Sequence, residues 1–139
     1  MNYIRLRKNT LCVENLPALK LAKKYKTPFY CYSLKQLKDN YQKLTRAFEN
    51  VNPLICFSVK SNSNLMLLKE LKKMGSGADV VSIGELLKAI NAGISSKKIV
   101  FSGVGKTEEE IMMAIRKKVL LINIESESEA NLINKISKK

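Results

Sequence analysis

The sequence predicts an α/β fold in which short parallel strands alternate with helices that pack outside the sheet. Short apolar runs alternate with longer segments whose apolar residues recur at helical spacing. The connections between them are short and rich in capping residues, glycine and proline. This strand–helix unit is repeated about five times, and such repetition produces a sheet of parallel strands.

The N-terminal part is predicted to contain one strand and one helix. Residues 3–13 alternate loosely between apolar and polar side chains, which is typical of a strand. Asn15 is a candidate N-cap, and Pro17 is tolerated in the first turn of a helix that continues to Tyr25. Thr27–Pro28 ends this helix, because the residue before a proline disfavours helical backbone.

The remaining elements follow from apolar spacing and from the residues that begin and end helices. Strands are predicted over residues 29–32, 54–59, 77–82, 99–102 and 119–124. Helices are predicted over residues 33–48, 64–74, 83–92, 108–117 and 126–139. This order fits two architectures, an open doubly wound sheet and a (β/α)₈ barrel. A complete barrel needs about 250 residues, and the chain ends inside a helix, so we expect a truncated product or a piece of something longer.

The composition is strongly basic, with 25 Lys and Arg against 12 Asp and Glu and a net charge of +13. A basic nucleic-acid-binding module is one interpretation of this charge. The lysines are spread over almost every predicted helix, and scattered lysine is typical of a solvated surface. The charge therefore favours anionic ligands in general and gives little support to nucleic acid as a partner.

Cysteine and histidine usage excludes several kinds of site within this chain. The cysteines are Cys12, Cys31 and Cys56, with no C-x-x-C spacing, and there is no histidine. Neither a structural zinc site nor a Cys–His catalytic pair is available from these residues. No apolar run approaches the length of about 20 residues that spans a bilayer, and the N-terminus has no signal-peptide pattern. We expect a reducing, cytoplasmic location and no membrane partner.

The stretch from Ile55 to Asn64, ICFSVKSNSN, is the strongest candidate for a functional site. Strand alternation predicts that Cys56, Ser58 and Lys60 share one face, with small side chains beside the lysine. Parallel α/β proteins place their chemistry at the carboxyl ends of strands. A lysine amine there can form a Schiff base with a carbonyl compound, as pyridoxal phosphate requires. The alternative is a solvated lysine at a strand end.

Two acids flank the end of the following strand. Asp79 lies inside the strand GADVVS, where acids are disfavoured unless they are solvated or paired. Its functional interpretation is a carboxylate that pairs with Lys60 and orients it, and the alternative is a solvated acid. Glu85 lies near the start of a helix, where the helix dipole stabilises an acidic side chain, so its position needs no functional role.

The segment GVGKT, at residues 103–107, lies between a strand and a helix and invites comparison with a nucleotide-binding loop. The Walker pattern requires a glycine where this chain has Val100, so the pattern fails. The remaining interpretations are an anion site made of backbone amides and, more commonly, a tight turn from strand to helix.

Four segments together resemble the diaminopimelate decarboxylase family: ICFSVKSNSN, GSGADVVSIGEL, IVFSGVGKTEEE and INIESESE. They occur in the family's order and at matching intervals, from Pro28 to the end of the chain. Family members carry a VKAN-type segment, in which Ser61 here replaces the usual alanine. The SGVGKT stretch distinguishes this group from alanine racemases and from eukaryotic ornithine decarboxylases.

The resemblance implies that residues 28–139 form part of a pyridoxal phosphate-binding (β/α)₈ TIM barrel, with about five parallel strands and outer helices, and that residues 1–27 precede it. Lys60 matches the lysine that holds the cofactor as a Schiff base. Asp79 matches the acid close to that lysine, and Glu85 matches a second acid that lines the site. The implied reaction is the PLP-dependent decarboxylation of meso-2,6-diaminopimelate, a small amino-acid substrate, to L-lysine by a cytoplasmic homodimer.

Other site groups of the family fall beyond Lys139 in this resemblance. They are the ring-stacking histidine, the phosphate-binding glycine segment, the acid at the pyridine nitrogen and the substrate arginines, together with the last barrel strands and a C-terminal β domain. We therefore expect the isolated 139-residue chain to be inactive. Two alternatives to the enzyme are a non-catalytic pyridoxal phosphate-binding barrel protein and the basic nucleic-acid-binding module.

Overall fold

A computed structural model describes residues 3–138 and divides the chain between Pro53 and Leu54 into two compact units. The predicted domain boundary between residues 27 and 28 was placed where the family resemblance begins, not where the contacts divide the chain. It stays a prediction.

The first unit contains a small antiparallel sheet and two helices. The elements are β1 (Ile4–Arg7), β2 (Thr10–Val13), β3 (Leu16–Pro17), α1 (Ala18–Tyr25), α2 (Leu34–Ala47) and a 3₁₀ turn (Glu49–Val51). The single strand predicted over residues 3–13 is in fact a hairpin. Lys8 and Asn9 both adopt positive φ, at 45° and 60°, which is the backbone of a two-residue hairpin turn. Pro17 ends β3 and precedes α1, so the helix begins later than predicted.

The strand predicted over residues 29–32 is not present. These residues are assigned to no strand, and Tyr30 and Tyr32 are exposed. Aromatic residues favour extended backbone, but a strand also needs a hydrogen-bonded neighbour, which local preference does not supply. The helix that follows agrees with prediction, because the Ser33 hydroxyl accepts a hydrogen bond from the Gln36 N–H at 3.1 Å and caps α2.

The second unit is a four-stranded parallel sheet with a helix after each strand. The strands are β4 (Cys56–Ser58), β5 (Gly77–Val80), β6 (Ile99–Phe101) and β7 (Leu121–Ile122), paired in that order. The helices are α3 (Leu65–Lys73), α4 (Ile83–Asn91), α5 (Glu108–Arg116) and α6 (Glu127–Ser137). Every strand lies inside its predicted range, and the helix ends differ by two residues at most, apart from residue 139, which lies outside the described residues.

The parallel α/β class is therefore confirmed, with four parallel strands in the described chain where about five were expected. The difference is the missing strand at residues 29–32. The strands follow one another in sequence order, without the reversal that a doubly wound sheet contains. This order agrees with a section of a barrel, and closure into a TIM barrel stays a prediction for these four strands.

One face of the sheet packs against the helices and forms the core. Strand register places Phe57, Ala78, Val80, Ile99 and Phe101 on this face, and the last four are fully buried. The core is completed by residues from the loops and helices, namely Val59, Leu68, Leu86, Ala89 and Ala114. Alternation then puts the intervening side chains, including Ser58 and Asp79, on the opposite face. The helices thus leave the second face free for polar groups.

Two neighbouring leucines in α4 test this assignment. Leu86 is fully buried in the core, whereas Leu87 is 39% exposed. Truncating Leu86 to alanine should lower the free energy of unfolding by about 2 to 5 kcal/mol, because it removes buried methyl groups and leaves a cavity. Leu87→Ala should lower it by less than about 1 kcal/mol. Urea unfolding of both variants measures the difference, and equal losses would contradict the assigned helix face.

Candidate functional site

Four polar side chains lie at the carboxyl ends of the four parallel strands. Ser58 ends β4, Asp79 lies in β5, and Ser102 and Asn123 directly follow β6 and β7. Parallel pairing carries all four strand ends to the same edge of the sheet, where α/β proteins bind ligands. The backbone N–H groups of Ser102 and Asn123 extend the sheet ladder, donating to Val80 and Phe101 carbonyls at 2.8 and 2.9 Å.

These four side chains form one continuous row of hydrogen bonds, which we call the polar row. The Asn123 amide nitrogen donates to the Ser102 hydroxyl at 2.9 Å, and that hydroxyl donates to one oxygen of Asp79 at 2.5 Å. The Ser58 hydroxyl donates to the other oxygen of Asp79 at 3.2 Å. Both carboxylate oxygens of Asp79 therefore accept a hydrogen bond, and the side chain is held from two neighbouring strands.

Lys60 lies just beyond the paired part of β4, in a 3₁₀ turn formed by Val59–Ser61. Strand alternation holds for Cys56 to Ser58 but does not extend to Lys60, because the backbone leaves the strand at Val59. The turn is closed by the Asn62 N–H, which donates to the Val59 carbonyl at 3.1 Å. Val59 is fully buried in the core, while Lys60 is exposed. The lysine thus lies at the carboxyl edge of the sheet, on a turn anchored by buried Val59.

The predicted ion pair between Asp79 and Lys60 is not formed in residues 3–138. Serine hydroxyls donate to the carboxylate instead, because Ser58 is the register partner of Asp79 in β4 and Ser102 directly follows β6 on the other side. No hydrogen bond or ion pair joins the Lys60 amine to another described residue. The Lys60 amine is therefore accessible to a ligand from solvent.

Glu85 lies in the first turn of α4 and is engaged with the backbone that precedes it. Its carboxylate accepts a hydrogen bond from the Val81 N–H at 3.0 Å, and its own N–H donates to the Ser82 hydroxyl at 3.3 Å. The helix-start interpretation of Glu85 is therefore supported by its contacts. These bonds fix the loop that follows β5. Because this loop leaves the carboxyl end of β5, Glu85 lies at the same edge of the sheet as the polar row.

The GVGKT segment forms a tight turn into α5. Thr107 caps the helix, and a capping box joins it to Glu110, with the Thr107 N–H donating to the Glu110 carboxylate at 3.1 Å. The Glu110 N–H donates to the Thr107 hydroxyl at 3.2 Å. Acids occupy the first three positions of α5, and their charge would repel an anion. The turn interpretation thus accounts for this segment better than an anion site does.

Lys106 forms the most extensive set of hydrogen bonds of any lysine among residues 3–138, and it was not singled out from the sequence. Its side chain is only 2% exposed, and its amine donates to the Gly103 carbonyl at 2.8 Å, the Asn123 carbonyl at 2.6 Å and the Glu129 carboxylate at 2.9 Å. Glu129 is 8% exposed and also accepts from the Glu125 N–H at 2.7 Å. No spacing signal separates this buried lysine from the many solvated ones, since two of its three acceptors, at Asn123 and Glu129, are distant in sequence.

The surroundings of Glu129 favour its charged form. The hydrogen bond from Lys106, followed by those from backbone N–H groups, holds the pKa of the Glu129 carboxyl below its usual value of 4.5, although burial acts in the opposite direction. The Lys106–Glu129 pair therefore ties the loop before α5 to the first turn of α6 and to the end of β7.

Residues 3–138 give no support for a metal site or for a membrane-spanning helix. These residues contain no group of three His, Cys, Asp or Glu side chains that could hold a metal ion. None of their helices is both long enough and apolar enough to cross a bilayer.

A parallel α/β sheet with an exposed lysine and a hydrogen-bonded carboxylate at its strand ends suits the class of proteins that bind a carbonyl-containing group through an amine. Comparison with protein families identifies the particular one. Residues 34–139 match the family of pyridoxal-dependent decarboxylases, at their pyridoxal-binding domain, and the chain belongs to this family. The resemblance found in the sequence is confirmed, and so is pyridoxal phosphate as the cofactor of the family.

Individual relatives of the chain are decarboxylases of the same kind. The chain is 43% identical to diaminopimelate decarboxylase of Haemophilus influenzae over 99% of its own length and 33% of that enzyme. It is 47% identical to the Helicobacter pylori enzyme over 81% of its length and 28% of the relative. It superposes on the M. jannaschii diaminopimelate decarboxylase in complex with L-lysine with a TM-score of 0.93 at 37% identity, covering 99% of this chain and 33% of that one. The chain thus spans about a third of the length of these relatives.

Removing the buried amine should destabilise the chain strongly. Lys106→Met leaves Glu129 and two carbonyls without their donor, and breaking a buried pair in this way costs about 3 kcal/mol or more. Lys69→Met, the same change at an exposed position of α3, should alter the free energy of unfolding by less than about 0.5 kcal/mol. Denaturant unfolding checks both values, and a Lys106→Met variant as stable as Lys69→Met would contradict the contacts described.

Stability should also depend on pH through Glu129. Because its folded-state pKa lies below the usual 4.5, its contribution is fully present above about pH 4.5 and is lost as the pH falls through the folded pKa. Glu14 acts in the same window, since the N–H of Lys35 and then the Ser33 hydroxyl lower the pKa of its carboxyl.

The comparison of Glu129→Gln with the unchanged chain isolates the first contribution. The difference in unfolding free energy should shrink between about pH 6 and about pH 3, which lie on either side of the usual carboxyl pKa of 4.5. A difference that stays constant over this range would show that the charge of Glu129 is unimportant.

Proposed function

We propose that this chain supplies the cofactor-holding part of a diaminopimelate decarboxylase, with Lys60 as the residue that bonds to pyridoxal phosphate. The observation that carries the proposal is the exposed, unpartnered amine of Lys60 at the carboxyl edge of a parallel sheet. A structural lysine, such as Lys106, is instead buried and fully bonded. The difference in environment favours a reactive role for Lys60.

The residues near Lys60 have distinct roles in this proposal. The Lys60 amine would hold pyridoxal phosphate by a bond from the lysine nitrogen to the aldehyde carbon of the cofactor, whose oxygen would leave as water. The Asp79 carboxylate supplies a negative charge on the neighbouring strand, at a position set by Ser58 and Ser102. Glu85 fixes the loop after β5 and lines the same edge. When bound, pyridoxal phosphate withdraws electrons from the substrate carbon that loses carbon dioxide.

The substrate in this proposal is meso-2,6-diaminopimelate, and the product is L-lysine. Support comes from relatives of that name at 43% and 47% identity and from the lysine-bound M. jannaschii enzyme. We also propose that the complete enzyme is a cytoplasmic homodimer, as the family resemblance implies. The 139 residues contain no histidine, so a ring-stacking histidine has to come from outside them. We therefore expect them to bind cofactor without decarboxylating diaminopimelate.

The cofactor bond is tested by changing one exposed lysine at each end of the sheet. Lys60 and Lys97 each occupy the middle of a 3₁₀ turn, Lys60 after β4 and Lys97 before β6. With pyridoxal phosphate below the protein concentration, Lys60→Ala should lose most of the absorbance change and of the borohydride-fixed adduct, because the reacting amine is gone. Lys97→Ala should retain both.

Mass spectrometry of the reduced, digested chain locates the adduct. Adduct spread evenly over many lysines, or unchanged in Lys60→Ala, would contradict the assignment. Measurable release of carbon dioxide from diaminopimelate by the 139 residues alone would contradict the expected inactivity.

A further inference from the structure

A chain of hydrogen bonds connects the buried Lys106 to the Asp79 carboxylate across three strands of the sheet. We propose that Asn123 and Ser102 are positioning residues, anchored by Lys106, which hold the Asp79 carboxylate in a fixed place beside the turn that presents Lys60. The proposal rests on the proposed role of Lys60 and extends it to residues that do not contact the cofactor themselves.

The first link is the main chain at the end of β7. This strand has only two residues, Leu121–Ile122, and lies at the edge of the described sheet, so its own pairing holds its end weakly. The Lys106 amine donates to the Asn123 carbonyl at 2.6 Å while also bonding Glu129. A charged donor that is almost fully buried makes this a strong anchor, because a charge there cannot be left without its acceptors.

The second link is directional. An amide nitrogen only donates, so the Asn123 side chain must direct its hydrogen at the oxygen of Ser102. A hydroxyl has one hydrogen to give, and with its oxygen already accepting from Asn123, that of Ser102 is directed to Asp79. Asn123, which only donates here, and the Asp79 carboxylate, which only accepts, therefore agree on one direction for the Ser102 hydroxyl, and Asn123 holds its oxygen in place.

The third link reaches the turn of Lys60. Ser58 donates to the second oxygen of Asp79, and the Ser58 carbonyl accepts from the Ser61 hydroxyl at 2.7 Å. Ser61 is the residue after Lys60 and part of the same 3₁₀ turn. The carboxylate and the turn are thus joined through one serine, so a shift of Asp79 is transmitted to the segment that carries the amine.

An exchange of amide for carboxylate tests the directional link. Asn123→Asp keeps the size of the side chain but replaces the donor by an acceptor, which competes with Asp79 for the single hydrogen of the Ser102 hydroxyl. Asn131→Asp makes the same change at an exposed position of α6 that has no part in the polar row. Ser102→Ala and Ser102→Thr form a second pair, in which threonine keeps the hydroxyl and should restore the behaviour of the unchanged chain.

The first measurement uses the full chain without cofactor. In Asn123→Asp, backbone amide signals in the NMR spectrum should move at Ser102, Asp79 and Ser58, and thermal unfolding controls for loss of the fold. Asn131→Asp should leave those three signals in place. Changes that end at Ser102 would overturn the proposal, because the row would then not transmit.

The second measurement is the selectivity of pyridoxal phosphate for Lys60 over Lys97, read from the reduced adducts. It should fall about tenfold in Asn123→Asp and Ser102→Ala, the factor expected for one lost hydrogen bond to a charged group, and recover in Ser102→Thr. Loss of the fold would also lower this ratio, because the amines of an unfolded chain react alike, so the comparison uses only variants whose thermal unfolding matches that of the unchanged chain. Unchanged selectivity despite moved NMR signals would overturn the positioning role.

The two readouts separate this proposal from the proposed function. If the unchanged chain forms no adduct at Lys60, the proposed function fails, and the spectra alone then support or overturn the coupling along the polar row. If it forms the adduct and the variants retain their selectivity, the proposed function stands and the positioning role is wrong.

Discussion

The parallel register of β4 to β7 is the constraint on which the site depends. It sets Ser58 opposite Asp79 and brings the ends of four strands to one edge, so that residues far apart in sequence become hydrogen-bonded neighbours. The same register points Ala78, Val80 and Phe101 at the helices. One face therefore supplies stability through apolar burial, and the other is free to carry polar chemistry.

Two lysines illustrate how environment decides the role of one residue type. Lys106 is buried and satisfied by three acceptors, including the Glu129 carboxylate. Lys60 is exposed on an anchored turn and has no partner among the described residues. Burying an amine without hydrogen-bond acceptors costs free energy, so the buried Lys106 has to keep its partners and has a structural role. The exposed Lys60 is accessible to a ligand. The polar row joins these two regions of the sheet edge.

Local chemistry accounts for the elements that were predicted well. Ser33 and Asn64 cap α2 and α3 as expected, because a capping side chain needs only the next few backbone N–H groups. Residues 29–32 and the hairpin within residues 3–13 were missed, because strand pairing depends on a partner segment. Of the site, Lys60, Asp79 and Glu85 were singled out from the sequence, largely through a family resemblance, and the roles assigned to them stay proposals.

The sequence by itself determined the alternation of strands and helices, the apolar face of each element and membership of the pyridoxal-dependent decarboxylase family. These are local properties, encoded in spacing and in short motifs. Only the tertiary structure decided that Asp79 bonds to serines rather than to Lys60, that Lys106 is buried against Glu129, and that Asn123 completes the row. Such contacts join residues some 20 positions apart, and their geometry exists only once the strands have paired.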